Sequence, residues 1–158
     1  MSCEFNYPHN YEGSRHTIGF ICPSLFKKYI NRATKAMKTI KTPYDTLAFC
    51  GISGATIGPV LAMNLRKETM LVRKDGDRRN TLYDVAGYTG VANYLIVDDF
   101  INSGKTVKHI QKKIYQAYPH AKCVGVVSVQ ELEPNYANLD VYTKEYNLSR
   151  KILKESAA

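Results

Sequence analysis

Asp98 and Asp99 stand side by side, and Asn102, Ser103, Gly104, Lys105 and Thr106 follow close behind them. Residues of these types in this order can serve two opposite charges at once. A small polar stretch with a glycine, leading into a helix, turns backbone N–H groups toward a phosphate, and the Ser103 and Thr106 hydroxyls add donors. The adjacent carboxylates repel phosphate and suit sugar hydroxyls, a hydrated magnesium ion or a developing positive charge. Together they describe a loop for a phosphorylated sugar held with a metal. Two plainer readings compete. The acids would also suit the cap of the next helix, where negative side chains are favoured. Gly104-Lys105-Thr106 copies the close of a P-loop, but that pattern needs glycine where this chain has Asp99, and no other match occurs. The P-loop is excluded.

The elements that must position this loop are legible around it. An apolar run at 94–97 stops at Asp98, so a buried strand delivers the acids to a sheet edge. Val107, Ile110, Ile114 and Ala117 then recur at helical spacing; Lys105, Lys108, Lys112 and Lys113 mostly face water, and Pro119 ends the helix. The same plan occurs earlier. Residues 46–50 read as a buried strand, Gly51-Ile-Ser-Gly-Ala-Thr-Ile-Gly58 as a glycine-containing turn, and a helix follows to about Leu65. Residues 69–73 form a short strand, 74–80 a charged loop, and 121–129 a β-branched strand fit for a sheet centre. An amphipathic helix is expected over 24–40, with Pro23 at its start, Phe26, Tyr29, Ile30, Ala33, Met37 and Ile40 inward. Residues 1–22 show no periodicity. Short strands alternating with helices predict a three-layer α/β fold on a mostly parallel sheet. Ligands of such sheets gather outside the carboxyl ends of the strands, where both special loops fall.

Composition sets the class. The chain has 158 residues, 44% hydrophobic and 23% charged, which suits one globular domain with a real core. Met1 to Asn10 lacks a basic start and an apolar stretch, and the uncharged run 46–64 is broken by glycines and Pro59. A soluble, cytoplasmic protein without a membrane partner is expected. Cys3, Cys22, Cys50 and Cys123 show no zinc spacing and no paired motif, and Cys50 and Cys123 read as buried free thiols. The +8 charge fits either a nucleic-acid surface or a site for a highly anionic small molecule. His109 and His120 are expected in solvent, and Met37 and Met63 in the core.

The stretch 95–106 resembles the phosphoribosylpyrophosphate signature of type I phosphoribosyltransferases: apolar residues, two acids, two further residues, a small polar pair, glycine, any residue and threonine. The resemblance extends over about 46–129, with Gly51-Ile-Ser-Gly54 at the place of the family's pyrophosphate loop and Arg73-Lys74 at the entry to its flap. It implies a Rossmann-like type I phosphoribosyltransferase fold with a small hood, as a single domain 1–158. Residues 1–22 and about 131–158 would supply the hood or peripheral segments. It implies that Asn102, Ser103, Gly104, Lys105 and Thr106 hold the 5-phosphate, while Asp98 and Asp99 face the ribose hydroxyls and the Mg2+ shell. Ile52, Ser53, Gly54, Arg73 and Lys74, with Arg78 or Arg79, would meet pyrophosphate, and Ile101 would pack on the base. Asp98, Asp99 and Asn102 are the implied catalytic residues.

The activity implied is transfer of the 5-phosphoribosyl group from 5-phosphoribosyl-1-pyrophosphate to a nitrogenous base, purine or pyrimidine, within a homodimer. Two features depart from the 6-oxopurine members. Asn102 stands where they usually carry Asp, and Gln130 or Glu131 where they place a lysine. Tyr83, Tyr88 and Tyr136 are candidates to stack on a base. Two other functions share the signature. One is a non-catalytic regulator that senses phosphoribosylpyrophosphate and binds RNA or DNA. The other is a relative of the pyrophosphokinases, which are normally longer chains of two domains.

Overall fold

Strand β1 (Thr46–Cys50) is buried at every residue, the mark of a strand covered on both faces. It lies at the centre of the computed structural model, which describes residues 10–77, 83–99 and 104–130. Helices α1 (Arg15–Ile21) and α2 (Pro23–Met37) precede it. After it come α3 (Gly51–Leu65), β2 (Glu68–Val72), β3 (Val85–Gly87), β4 (Asn93–Asp98), α4 (Lys105–Ala117) and β5 (Lys122–Ser128). The sheet runs in the order β3-β2-β1-β4-β5; β1 pairs in parallel with β2 and β4, and β4 with β5. Among the described strands, β3 alone is antiparallel, on β2. The mostly parallel three-layer α/β architecture expected from the sequence is present.

Alternation along β1 builds the three layers. Leu47 and Phe49 pack with α2 and α3, whereas Ala48 and Cys50 face the side that α4 covers with Val107, Ile110 and Ile114. A register shift opposite Tyr94 and Leu95 inserts a bulge into β5, after which Val127 and Val129 join the α2–α3 layer. At the amino ends of the strands, the Asp45 carboxylate accepts from the amides of Ala92 and Asn93 at 3.1 and 2.8 Å. That edge is closed by these side-chain bonds and by backbone bonds from Asp45 N to Asn93 O and from Glu68 N to Asp45 O. In sheets of this kind ligands gather at the opposite edge, outside the carboxyl ends of the strands.

Several expectations need correction. Helix α2 begins at Pro23 and stops at Met37, three residues short of Ile40. Helix α1 falls where the sequence shows no period; Ser14 caps it, its Oγ accepting from Thr17 N at 3.2 Å. Strand β3 is likewise additional to the expected elements. The stretch from Gly51 to Gly58 is helical from its first residue rather than a turn. Its glycines seat the helix on the sheet. A Cβ at Gly58 would lie 2.1 Å from Phe49 Cδ1, and one at Gly54 would lie 3.1 Å from Phe49 Cβ. Met37 is core, but Met63 is 80% exposed on the outer face of α3. Cys22, Cys50 and Cys123 are buried free thiols. Among the described residues no helix is long and apolar enough to cross a membrane.

Gly58→Ala tests the close seating of α3. Alanine gains about 1 kcal/mol in helix propensity. The Phe49 ring, only 4% exposed, cannot swing out of the way. Overpacking should win, with a net loss of about 1–3 kcal/mol read from the urea midpoint.

Candidate functional site

The parallel strands β1, β2 and β4 end together at Cys50, Val72 and Asp98. Asp98 is 7% exposed and its Oδ1 accepts from the Asp99 amide at 2.9 Å. Burial pushes its carboxyl up to about 7; the Asp99 side chain adds to the rise by hydrogen bond and by charge, while the Lys74 cation opposes it. Asp99 is half-buried. The main-chain oxygens of Asp98 and Asp99 accept from Val129 N and Gln130 N at 2.8 and 2.9 Å, which holds the acids on the sheet. Among the described residues neither acid joins a salt bridge. Nor do they cap α4, whose N-cap is Gly104 at φ 74°. The capping alternative therefore falls away, and the acid pair stands at the carboxyl end of β4.

Beside it starts α3. Cys50 is its N-cap and makes no side-chain capping bond, and Gly51 follows at φ 73°. In a helix beginning there, the amides of Gly51, Ile52 and Ser53 have no acceptor within the helix. Lys74 rests on this turn: a Cβ on Gly51 would stand 2.9 Å from Lys74 Cε and 3.3 Å from Nζ. Glycine is needed both for the backbone angle and for the lysine above it. A cavity of about 390 Å3 opens here, lined by Gly51, Ile52, Ala55, Arg73, Lys74 and Asp77 among others. Arg73 Nε is buried with no acceptor among the described residues. A buried donor without a partner is costly, and an incoming anion would satisfy it. Ile52 stands 80% exposed at the rim, and Gly54 is buried against Phe49.

A second cavity of about 200 Å3 lies on the α4 side, lined by Cys50, Lys74, Asp75, Lys105, Thr106 and His109. Lys74 lines both spaces and joins them. The Cys50 thiol is pushed up by burial, with Lys74 acting against that. Gly104, Lys105 and Thr106 are thus brought to the same edge as Arg73 and Lys74. Phe100, Ile101, Asn102 and Ser103, with Arg78, Arg79, Glu131 and Tyr136, lie outside the described residues. Among the described residues no group of three His, Cys, Asp or Glu could hold a metal. His109 is a correction. It is half-buried and its Nε2 lies 2.7 Å from Arg73 O. No local pattern could have shown this, because the partner is 36 residues away.

The edge therefore offers two helix N-termini for anions, a shared lysine and a half-hidden acid pair. Comparison of the sequence with family models and with curated proteins yields no match. Solved structures do match. The orotate phosphoribosyltransferase of Francisella tularensis superposes with a TM-score of 0.58 at 17% identity, over 72% of this chain and 55% of that one. The adenine phosphoribosyltransferase of Thermoanaerobacter pseudethanolicus gives 0.53 at 20% identity, over 70% of each chain. That of Saccharomyces cerevisiae gives 0.52 at 23%, over 66% of each. The chain spans little more than half the length of the orotate enzyme. These likenesses show the type I phosphoribosyltransferase fold.

Proposed function

We propose that the chain is a phosphoribosyltransferase that uses 5-phosphoribosyl-1-pyrophosphate and a nucleobase and releases pyrophosphate. The observation that carries this reading is the place of Lys74, across Gly51 and lining both cavities, near enough to the buried Asp98 for its charge to act on that carboxyl. A sugar carrying phosphate at one end and pyrophosphate at the other needs two anion sites flanking carboxylates. Arg73, Lys74 and the amides of Ile52 and Ser53 take the pyrophosphate, and Gly104, Lys105 and Thr106 take the 5-phosphate with Asn102 and Ser103. Asp98 and Asp99 take the ribose hydroxyls and stabilise positive charge on the sugar as the C1–oxygen bond opens. Arg73 and Lys74 neutralise the departing pyrophosphate, and Ile101 is the contact for the base.

Two carboxylates fit Mg2+, which keeps most of its water and binds through one or two acids and substrate phosphates. Asp98 and Asp99 would hold it, directly or through water. When bound, the ion supplies charge neutralisation to the leaving pyrophosphate.

A homodimer belongs to the same proposal. α3 contains no charged residue from Gly51 to Leu65, yet exposes Ile52 and Met63. Copies of a chain with net charge +8 repel each other least across such a face. Met63→Glu should shift the protein from dimer to monomer in sedimentation, and its melting temperature should no longer depend on protein concentration. An unchanged dimer would remove α3 from the interface.

The test of activity is pyrophosphate release from phosphoribosylpyrophosphate and magnesium with a panel of purines, pyrimidines and pyridines. One base should support turnover, and Asp99→Asn should abolish it. Binding without turnover on any base, together with salt-sensitive affinity for RNA or DNA, would favour the regulator instead.

A further inference from the structure

Helix α4 carries His109 and Lys113 one turn apart on one side. His109 Nε2 lies 2.7 Å from Arg73 O; since a carbonyl only accepts, this nitrogen bears the hydrogen and donates. Nδ1 of the same ring is 3.9 Å from Asp75 Oδ2. Lys113 Nζ donates to Asp84 Oδ2 at 3.2 Å and stands 3.7 Å from Asp75 Oδ1. The Arg73 amide in turn donates to Asp84 O at 2.9 Å. The chain leaving β2 and the chain entering β3 are thus both fastened to α4. The contacts differ in weight. Asp75 is 83% exposed, so its contacts with His109 and Lys113 are screened by water, whereas the His109 side chain is 21% exposed. The bond to the Arg73 carbonyl is the main fastening.

We propose that His109 is a positioning residue that sets the spacing between the two anion sites. α4 begins at Lys105, beside Gly104, and so carries the 5-phosphate end. The Arg73 main chain carries the pyrophosphate end, with the Lys74 side chain next to it. His109 joins the two directly, and it lines the α4-side cavity together with Lys74, Lys105 and Thr106. The proposal rests on the phosphoribosylpyrophosphate reading for its ligands. The contact itself does not depend on that reading. A ligand with anions at both ends is sensitive to the spacing of its sites, and a ligand with one anionic end is not.

The experiment compares three probes on the full chain: phosphoribosylpyrophosphate, pyrophosphate alone and ribose 5-phosphate alone. In His109→Ala, affinity for phosphoribosylpyrophosphate should fall about 10-fold while the two fragments stay within about 2-fold. His109→Gln, which places an amide donor near the lost Nε2, should restore most of that affinity. An unchanged affinity for phosphoribosylpyrophosphate, an equal fall for all three probes, or no rescue by glutamine would overturn the proposal. Amide hydrogen exchange without ligand separates this from the functional reading. Residues 73–77 should exchange faster in His109→Ala than in the wild type or His109→Gln, and equal exchange would refute the fastening. A wild type that binds none of the probes would refute the functional reading, and with it the ligand half of the proposal.

Discussion

Asp98→Asn should make the folded chain more stable at pH 8 and nearly inactive. The carboxyl sits at about 7 in the fold, against an ordinary value of 3.8. The folded state therefore keeps a proton that the unfolded chain has released. The unfolding free energy falls as pH rises from about 4 to about 7 and then levels off. At pH 8 the penalty is on the order of 4 kcal/mol, because each tenfold change in proton affinity corresponds to about 1.4 kcal/mol. Asparagine is neutral at every pH and keeps an oxygen to accept from the Asp99 amide, so it removes the penalty. A gain of about 8–16 °C in melting temperature is expected at pH 8, shrinking toward nothing near pH 4. Turnover should fall about 100-fold or more, since the charge meant for the sugar is gone. Wild-type turnover should rise with pH through about 7 as Asp98 ionises. A variant with unchanged melting at pH 8 would show that burial does not penalise the charged carboxylate of Asp98.

Lys74→Ala carries the second large effect. Its side chain lies on exposed surface, so the fold should lose less than about 0.5 kcal/mol. The site loses much more. Lys74 lines both cavities, and a charge-assisted hydrogen bond to phosphate is worth about 1.5–3 kcal/mol, or about 10- to 150-fold in affinity. Affinity for pyrophosphate should fall by that factor. The lysine also holds down the Asp98 carboxyl, so its removal should move the midpoint of the pH–rate profile upward. Lys112→Ala, on the exposed face of α4, changes the net charge equally and should alter neither quantity. If Lys112→Ala weakens binding as much, general electrostatic attraction and not a formed site explains the affinity.

What the sequence discloses follows from the range of each interaction. Strand β1 is found at the expected residues because a buried parallel strand is a continuous apolar run. Strand β4 and α4 show the same local legibility, so sequence alone places the acid pair at a strand end. Helix α1 is too short, and interrupted by Gly19, to display a period. Strand β3 is three residues on a sheet edge, with too little alternation to register. The helical start at Gly51 is hidden because glycine signals a turn unless a neighbouring ring requires it, as Phe49 does of Gly58. Met63 reads as core because α3 is apolar on every side, and sequence does not say which side meets the sheet. Long-range contacts leave no trace. The His109 bond to Arg73 and the seat of Lys74 on Gly51 join segments far apart in the chain.

The most direct measurement is calorimetric titration of phosphoribosylpyrophosphate with magnesium into the folded wild-type chain at pH 8. One ligand should bind per chain with a Kd on the order of 1–100 μM, and both pyrophosphate and ribose 5-phosphate should compete for it. Absence of binding at about 1 mM ligand, in a sample shown to be folded, would contradict the account.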